Sequence, residues 1–474
     1  MNYDVVIGIE IHCELKTKTK MFSGAPVSFA AAPNSCVNEI DLAYPGTLPC
    51  VNKGAVELAI RACSALNMEI DPLIKFDRKN YFYSDLARGY QNTQQFFPIG
   101  SHGVVEIETE EGTKAIRVNR IHMEEDTAKQ FHYPQGTFID FNRSGTPLIE
   151  IVSEPDMSSG KEAAAYVEKL RSILYYMDVS DCKMEEGSMR CDINISLKEK
   201  GSDQYGVRVE IKNINSIRNV QRAIDYEIMR QSKALEEGEE IIQSTRRFDE
   251  ASGTTIMMRK KEGSVDYKYF PEPNMFPILI DSAWIKNIQE NLPELPQVRK
   301  DKYINEYKLG EKDAQLLIDN KELSDYYNLV VKHTNEYKTA ANWVIVEMMA
   351  YLNKENISID KNPLNPKHLA DMIAMIKGGE ISGKQAKVVF EEMMKGKDPK
   401  KVVEEKGMKQ VSDTGAILAI VNQVLDANPQ SIEDFKNGKD RAVKFLMGQV
   451  MKLSKGQANP AMANQMVLEE LKKR

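Results

Sequence analysis

Polar and apolar residues alternate strictly along Ile7-Gly8-Ile9-Glu10-Ile11-His12-Cys13-Glu14-Leu15. Period two is the signature of a strand with one buried face, and it sets Glu10, His12 and Glu14 together on the other. The alternation returns twice. Arg190, Asp192, Asn194 and Ser196 oppose Cys191, Ile193, Ile195 and Leu197, while Arg208, Glu210 and Lys212 oppose Val207, Val209 and Ile211. Up to about Leu292, short strands separated by turn residues are interspersed with helical spacing over 161–176 and 217–235. The pattern predicts a mixed α+β region.

Leu292-Pro293-Glu294-Leu295-Pro296 breaks that pattern, because each proline holds the residue before it in an extended conformation. Beyond it, 297–307, 314–320, 323–333, 340–352 and 366–376 carry apolar residues at helical spacing with little strand character. A second, softer break spans 395–408, where charge, glycine and proline interrupt the periodicity. Three parts are expected: an α+β domain over 1–292, an all-α domain over 293–407 and a helical tail over 408–474.

Length agrees, since 474 residues exceed what one core usually organises. With 42% hydrophobic and 28% charged residues the composition is that of a soluble globular protein. No apolar run reaches the roughly 18 residues of a membrane span, and the start of the chain carries no signal-peptide pattern. Six cysteines without any C-x-x-C pair fit reduced thiols in a cytoplasm. A net charge of -7 excludes a protein that coats nucleic acid through bulk positive charge. Residues 431–474, with nine Lys or Arg against five Asp or Glu, are locally basic and are the expected nucleic-acid face; a solvated helical surface is the alternative.

Carboxylates and an imidazole on one rigid strand can hold a divalent cation, and an oxygen-rich set favours magnesium over zinc. A solvated strand face is the other reading of Glu10, His12 and Glu14. Further acidic groups could complete such a site: Glu124-Glu125-Asp126 after His122, and Glu150, which interrupts the apolar run Leu148-Ile149-Glu150-Ile151-Val152 and needs a partner there. Lys79, Arg190, Lys212, Arg246, Arg247 and Arg259 supply cations that could neutralise a transferring phosphoryl group, or form ordinary surface ion pairs. There is no P-loop, no G-x-G-x-x-G after a strand and no nucleophile elbow, so P-loop, Rossmann and self-sufficient glutaminase chemistries are disfavoured.

The segments IGIEIHCEL (7–15), FDRKNYFY (76–83), NRSGTPLIEIVSEP (142–155), KMEEGSMRCDINIS (183–196), EIKNINS (210–216), TRRFDE (245–250), YKYFPEP (267–273) and GQANP (456–460) resemble, in the same order, the B/E family of tRNA-dependent amidotransferase subunits. The resemblance implies a cradle-like α+β catalytic domain, a helical domain and a helical tail that touches tRNA. It also implies an ATP-dependent ligase reaction: the side-chain carboxyl of Glu-tRNA(Gln) or Asp-tRNA(Asn) is phosphorylated, and ammonia from a partner glutaminase displaces the phosphate. The implied partners are the amidase (glutaminase) subunit of the same complex, its small third subunit, and the misacylated tRNA(Gln) or tRNA(Asn), with no membrane. Glu10, His12, Glu125 and Glu150 match the family's metal cluster, Glu124 being the alternative to Glu125. Lys79, Arg190 and Lys212 fall in matching segments assigned to catalysis, and Arg246 and Arg247 to ATP.

One departure concerns zinc. Many relatives of this kind carry a C-x-C near 22–24 and a C-x-x-C some fifteen residues on. Here the first site reads Phe22-Ser23-Gly24-Ala25 and the second, Ser35-Cys36-Val37-Asn38-Glu39, keeps one cysteine. Four ligands cannot be assembled from these residues, so no structural zinc is expected and packing must hold the loop.

Overall fold

The computed structural model describes residues 3–260, 266–408, 414–437, 439, 441–454 and 458–474. Strand β1 (Tyr3–Glu14) buries Ile7, Ile9, Ile11 and Cys13 on one side, following the alternation of its sequence. Fully burying each such isoleucine is worth about 1.5–3 kcal/mol. The strands that follow are β2 (Glu69–Ile70), β3 (Leu73–Ile74), β4 (Asp77–Asn80), β5 (Tyr90–Thr93), β6 (Gly100–Thr109), β7 (Gly112–Glu125), β8 (Lys129–Tyr133) and β9 (Gly136–Asp140). Then come β10 (Pro147–Ser153), β11 (Met189–Glu199), β12 (Val209–Ile214), β13 (Ser244–Asp249), β14 (Thr254–Lys260), β15 (Phe270–Pro271) and β16 (Ile278–Leu279).

Nine of these strands form one sheet in the order β14-β13-β12-β11-β1-β10-β7-β6-β2. Its pairs are antiparallel except β12 with β13. Because directly opposed residues share a face, register alone aligns His122, Glu150, His12 and Arg190 across β7, β10, β1 and β11. A shorter sheet, β15-β4-β5, carries Lys79 and Gln91 as cross-strand partners.

Helices cover the apolar face of the large sheet. Helix α1 (Lys53–Ala65) packs on β6 and β7, α2 (Gly160–Tyr176) on β6, and α3 (Ile217–Glu236) on β11, β12 and β14. A fourth helix, α4 (Ser282–Glu290), packs on α1. Ser159 and Ser216 start α2 and α3 by accepting the N–H of Glu162 and Asn219, which satisfies a donor the helix itself leaves unpaired. Ala163, Tyr166, Val167, Leu170 and Leu174 then recur at helical spacing along the buried side of α2.

The segment between β1 and α1 is tied down by polar contacts. Lys20 and Asp41 are buried and pair at 3.1 Å, and the Ser23 hydroxyl donates to the other carboxylate oxygen of Asp41 at 2.8 Å. The Cys36 N–H donates to Asn142 Oδ1 at 2.8 Å and the Asn34 amide to the Ile139 carbonyl at 3.1 Å. The six cysteines are free, five of them buried.

The chain divides into two compact units, 1–296 and 297–474. The division falls at Pro296, the end of the proline-bounded break in the sequence. Within the second unit, helices Glu311–Ile318, Lys321–Val331, Pro366–Lys377, Gly383–Met393 and Pro399–Glu405 follow the periodic segments. Tyr337–Asn342 and Met349–Lys354 are joined by a π-helical stretch, Trp343–Met348, that keeps Trp343, Val344 and Met348 buried. The expected second boundary runs into residues 409–413, which lie outside the described residues, as do Gly456 and Gln457 of the GQANP segment. Beyond it, Thr414–Asp426, Arg441–Leu453 and Pro460–Lys473 enclose a core of Ile417, Val421, Leu425, Leu446, Val450 and Val467.

Candidate active site

The face of the large sheet opposite α1, α2 and α3 is polar, and its chemistry gathers where β1, β10 and β7 run side by side. His12 Nδ1 stands 2.9 Å from Glu124 Oε1 and 3.9 Å from Glu150 Oε2, and His122 Nε2 lies 3.1 Å from the same Glu150 oxygen. One potential ligand atom from each of His12, Glu124 and Glu150 falls within 4.8 Å of the others. Glu10, two residues along β1, faces the same side and accepts a 2.9 Å hydrogen bond from Asn194.

The carboxylate that joins this cluster is Glu124, and Glu125 is not part of it. The pleat of β7 turns His122 and Glu124 to the polar face and Glu125 away from it. Glu125 instead accepts from the Arg88 guanidinium and, at 3.0 Å, from the Asn92 N–H. The signal was present in the sequence: His122-Met123-Glu124 repeats the polar-apolar-polar spacing of Glu10-Ile11-His12.

Negative charge is in excess within the cluster. Burial raises the Glu10 carboxyl above its ordinary value and the nearby Glu150 charge raises it further, as expected where negative charge is in excess. Burial opposes a charged His12, yet its hydrogen bond to Glu124 and the charges of Glu150 and Glu124 outweigh that and hold it up at about 9. A proton on the imidazole thus neutralises carboxylates that a divalent ion would otherwise neutralise, and metal binding must displace it. Two carboxylates and one imidazole, with Glu10 beside them, suit a hard cation that keeps water and phosphate oxygens in its remaining positions.

Three cations border the same cleft, a space of about 210 Å³ lined by His12, Lys79, Gln91, Glu124, Asp126, Arg190, Asp192 and Lys212. Arg190 donates to Asp126 at 2.7 Å, and Asp126 also meets Arg143 at 3.2 Å. Lys212 reaches Asp192 at 2.5 Å and Glu210 at 3.2 Å. Lys79 has no carboxylate within ion-pair distance among the described residues. Its ammonium lies 5.0 Å from the Tyr267 ring centre and 5.8 Å from that of Tyr81. Burial works against that charge, but Glu124, Tyr269 and Glu150 prevail and keep Lys79 above its usual value. Arg190 Nε and His122 Nδ1 are buried with no hydrogen-bond partner among the described residues.

The two arginines expected near ATP part company. Arg246 faces α3, where it bonds the Thr255 hydroxyl and carbonyl at 2.8 Å each and pairs with the fully buried Glu227 at 3.1 Å. It does not reach the cleft, because the pleat of β13 sends it to the helix-covered face. Arg247 is in register with Lys212 and so shares the polar face. Arg143 and Gln91 were not singled out by sequence pattern, while Asp126 was read only as part of an acidic triplet and Asp192 and Asn194 only as positions on a polar strand face. They converge from four separate segments, since Asp192 and Asn194 share β11, and no local spacing reveals that convergence.

A polar sheet face on an α+β scaffold thus gathers carboxylates and an imidazole that could hold a divalent ion beside three cations that could meet phosphate oxygens. The chain belongs to the GatB/GatE family: the GatB/GatE catalytic domain matches residues 5–286 and the GatB domain matches 325–471. It is 52% identical over 475 residues to the B subunit of the aspartyl/glutamyl-tRNA(Asn/Gln) amidotransferase of Staphylococcus carnosus (strain TM300), covering 100% of both chains. The protein of the same description from Geobacillus thermodenitrificans (strain NG80-2) is 52% identical over 476 residues, again with 100% of both chains covered. No helix among the described residues is long and apolar enough to cross a membrane.

Proposed function

We propose that this chain is the carboxyl-activating member of a cytoplasmic tRNA-dependent amidotransferase, a carbon–nitrogen ligase that draws its nitrogen from glutamine. It works with the amidase that releases ammonia from glutamine, and with a small third subunit, on Glu-tRNA(Gln), Asp-tRNA(Asn) or both. A carboxylate is a poor acyl donor at neutral pH. Its oxygen attacks the γ-phosphorus of ATP, the bond to the β,γ-bridging oxygen breaks, and ADP departs. Ammonia then attacks the acyl carbon, phosphate leaves, and the amide remains after loss of one proton.

Glu124, Glu150 and His12 would hold magnesium, with the Glu10 carboxylate adding negative charge beside them. The ion supplies screening of about four negative charges on the reacting phosphates. Lys79, whose ammonium faces the cleft without a carboxylate partner among the described residues, orients the transferring phosphoryl group. Arg190 and Lys212 are held in place by Asp126 and Asp192 and add positive charge at the opposite side of the cleft. Arg247, which shares the polar face with Lys212, is the arginine of its pair that would meet the nucleotide phosphates. The tail over 408–474 meets the tRNA through Arg441, Lys444, Lys452 and Lys472, which are exposed and have no carboxylate partner among the described residues. No zinc is required, since the buried Lys20–Asp41 pair and the Asn142 contact hold the loop where thiolates would be needed.

The observation that carries this reading is the His12–Glu124–Glu150 cluster, of which His12 and Glu124 line one cleft with Lys79, Arg190 and Lys212. In the reconstituted complex, Glu10→Gln should lose ATP cleavage and amidation by about 100-fold or more while tRNA binding persists. Transamidation at the wild-type rate in that variant would remove Glu10 and its metal from the chemistry.

A further inference from the structure

Both oxygens of Glu124 are engaged, and their partners differ in kind. Oε1 meets the His12 ring at 2.9 Å, while Oε2 accepts from the Gln91 amide at 3.2 Å. Gln91 is buried on β5 as the cross-strand partner of Lys79 and lines the same cleft. Its amide is held from three directions, for Nε2 donates a second time, to the Glu125 carbonyl at 2.6 Å, and Oε1 accepts from the Tyr81 hydroxyl at 3.2 Å. That set fixes which end of the amide is which. The reversed orientation would aim its oxygen at a carboxylate and a carbonyl, neither of which can donate.

The kind of donor matters as much as its place. Arg88 neutralises Glu125 as it binds it, whereas a neutral amide holds Glu124 without cancelling the charge a cation needs. Metal binding displaces the proton of His12 and so opens the contact at Oε1. The contact at Oε2 involves no group the ion must take, and it persists. One oxygen of Glu124 is thereby offered to the cluster, and the other stays turned towards β5. Magnesium is small, demands nearly octahedral geometry and keeps several waters, while calcium gathers more oxygens and often grips both of one carboxylate. A carboxylate restrained to one oxygen suits the first ion and denies the second a ligand.

We infer that Gln91 is a positioning residue that sets the cluster's preference for magnesium over calcium, by tying up Oε2 and keeping Glu124 a one-oxygen ligand. The inference rests on the magnesium reading above. Without the amide, Glu124 is free to turn both oxygens to the ion, a change that favours the larger cation. Tyr81 acts one step further out, since its hydroxyl holds the amide in the orientation that donates to Glu124.

The test reads ion binding rather than turnover. In the reconstituted complex without nucleotide, the part of the bound-manganese signal in electron paramagnetic resonance that Glu124→Gln abolishes reports the cluster, and magnesium and calcium are each titrated against it. Gln91→Leu and Gln91→Met keep the bulk and remove the amide. They should weaken magnesium by about 10-fold or more, the usual loss when the partner of a metal ligand is removed, while calcium weakens by less than about 3-fold or tightens. The ratio of the two affinities is the readout, since loosened packing alone would lower both alike. Tyr81→Phe, which keeps the ring and removes only the hydroxyl, should shift the ratio the same way by about 3-fold and covers the case in which the Gln91 variants fail to assemble. An unchanged ratio in the Gln91 variants, or in Tyr81→Phe where it alone assembles, overturns the inference, and so does a shift towards magnesium. A manganese signal that Glu124→Gln does not lower removes the parent reading, and the inference with it.

Discussion

Glu124 and Glu125 are neighbours on β7, yet Glu124 Oε1 meets His12 Nδ1 at 2.9 Å while Glu125 binds Arg88 and the Asn92 N–H. The pleat separates a residue of the metal cluster from a residue of the scaffold. Glu124→Gln should raise the magnesium concentration needed for half-maximal ATP cleavage by about 10-fold or more with little change in melting temperature. Glu125→Gln leaves Arg88 mostly buried without its carboxylate and should cost about 3–5 kcal/mol, seen as a fall in melting temperature of several degrees. The two variants assayed side by side, by magnesium titration and thermal unfolding, check both roles.

Glu14 offers a pH test. Burial, helped by the Asp126 charge, pushes its carboxyl up to about 7. A carboxyl with a raised folded-state pKa binds more protons folded than unfolded, so its contribution to stability falls as pH rises from about 4.5 to 7. Glu14→Gln mimics the protonated form. Without divalent cations it should match the wild type near pH 5 and exceed it by about 2–3 kcal/mol at pH 8. Denaturant unfolding at both pH values measures the difference, and equal stability at pH 8 would count against a buried, charge-crowded Glu14.

Arg246 and Arg247 should separate by function. Arg246→Met strands the buried Glu227 and is expected to lose about 3 kcal/mol of stability without altering KM for ATP. Arg247→Ala sits at a half-exposed position, should change stability by less than about 0.5 kcal/mol, and should raise KM for ATP several-fold. Unfolding curves and initial-rate kinetics on the complex distinguish them.

The tail prediction uses salt. Lys444→Glu and Lys452→Glu should weaken tRNA binding and flatten the dependence of log affinity on log salt by about one for each phosphate contact removed. Truncation after Met408 should leave ammonia-dependent amidation measurable at high tRNA concentration. Salt titrations of tRNA binding and a truncated complex with ammonium as nitrogen donor check these outcomes.

Much of the scaffold was legible because its signals are periodic. Alternation in 7–15 and 190–197 gave strands with the correct buried sides, and the prolines of 293 and 296 lie at the division into two units. Helical spacing located α2 and α3 to within a residue. Candidate residues on alternating strands, Glu10, His12, Arg190 and Lys212, were legible as members of a polar face. The site was not legible where tertiary pairing decides. Nothing local tells that Arg246 will meet Glu227 on a helix, or that Asp126 will draw in Arg190 from a strand beginning more than sixty residues later. Between Glu124 and Glu125, the pleat alone makes the choice, and it depends on β7 remaining extended to its last residue.

The position of β1 at the middle of the sheet also bears on how the chain is made. β1 ends at Glu14, whereas the strands that flank it begin at Pro147 and Met189. At translation speeds of about 5–20 residues per second, both of its edges stay without their native partners for roughly ten to thirty seconds after it emerges from the ribosome. An isoleucine-rich ribbon with two open edges invites pairing with other nascent chains. Newly made protein should therefore depend on chaperones during this interval, and the site cannot exist until the strand that carries Arg190 has docked.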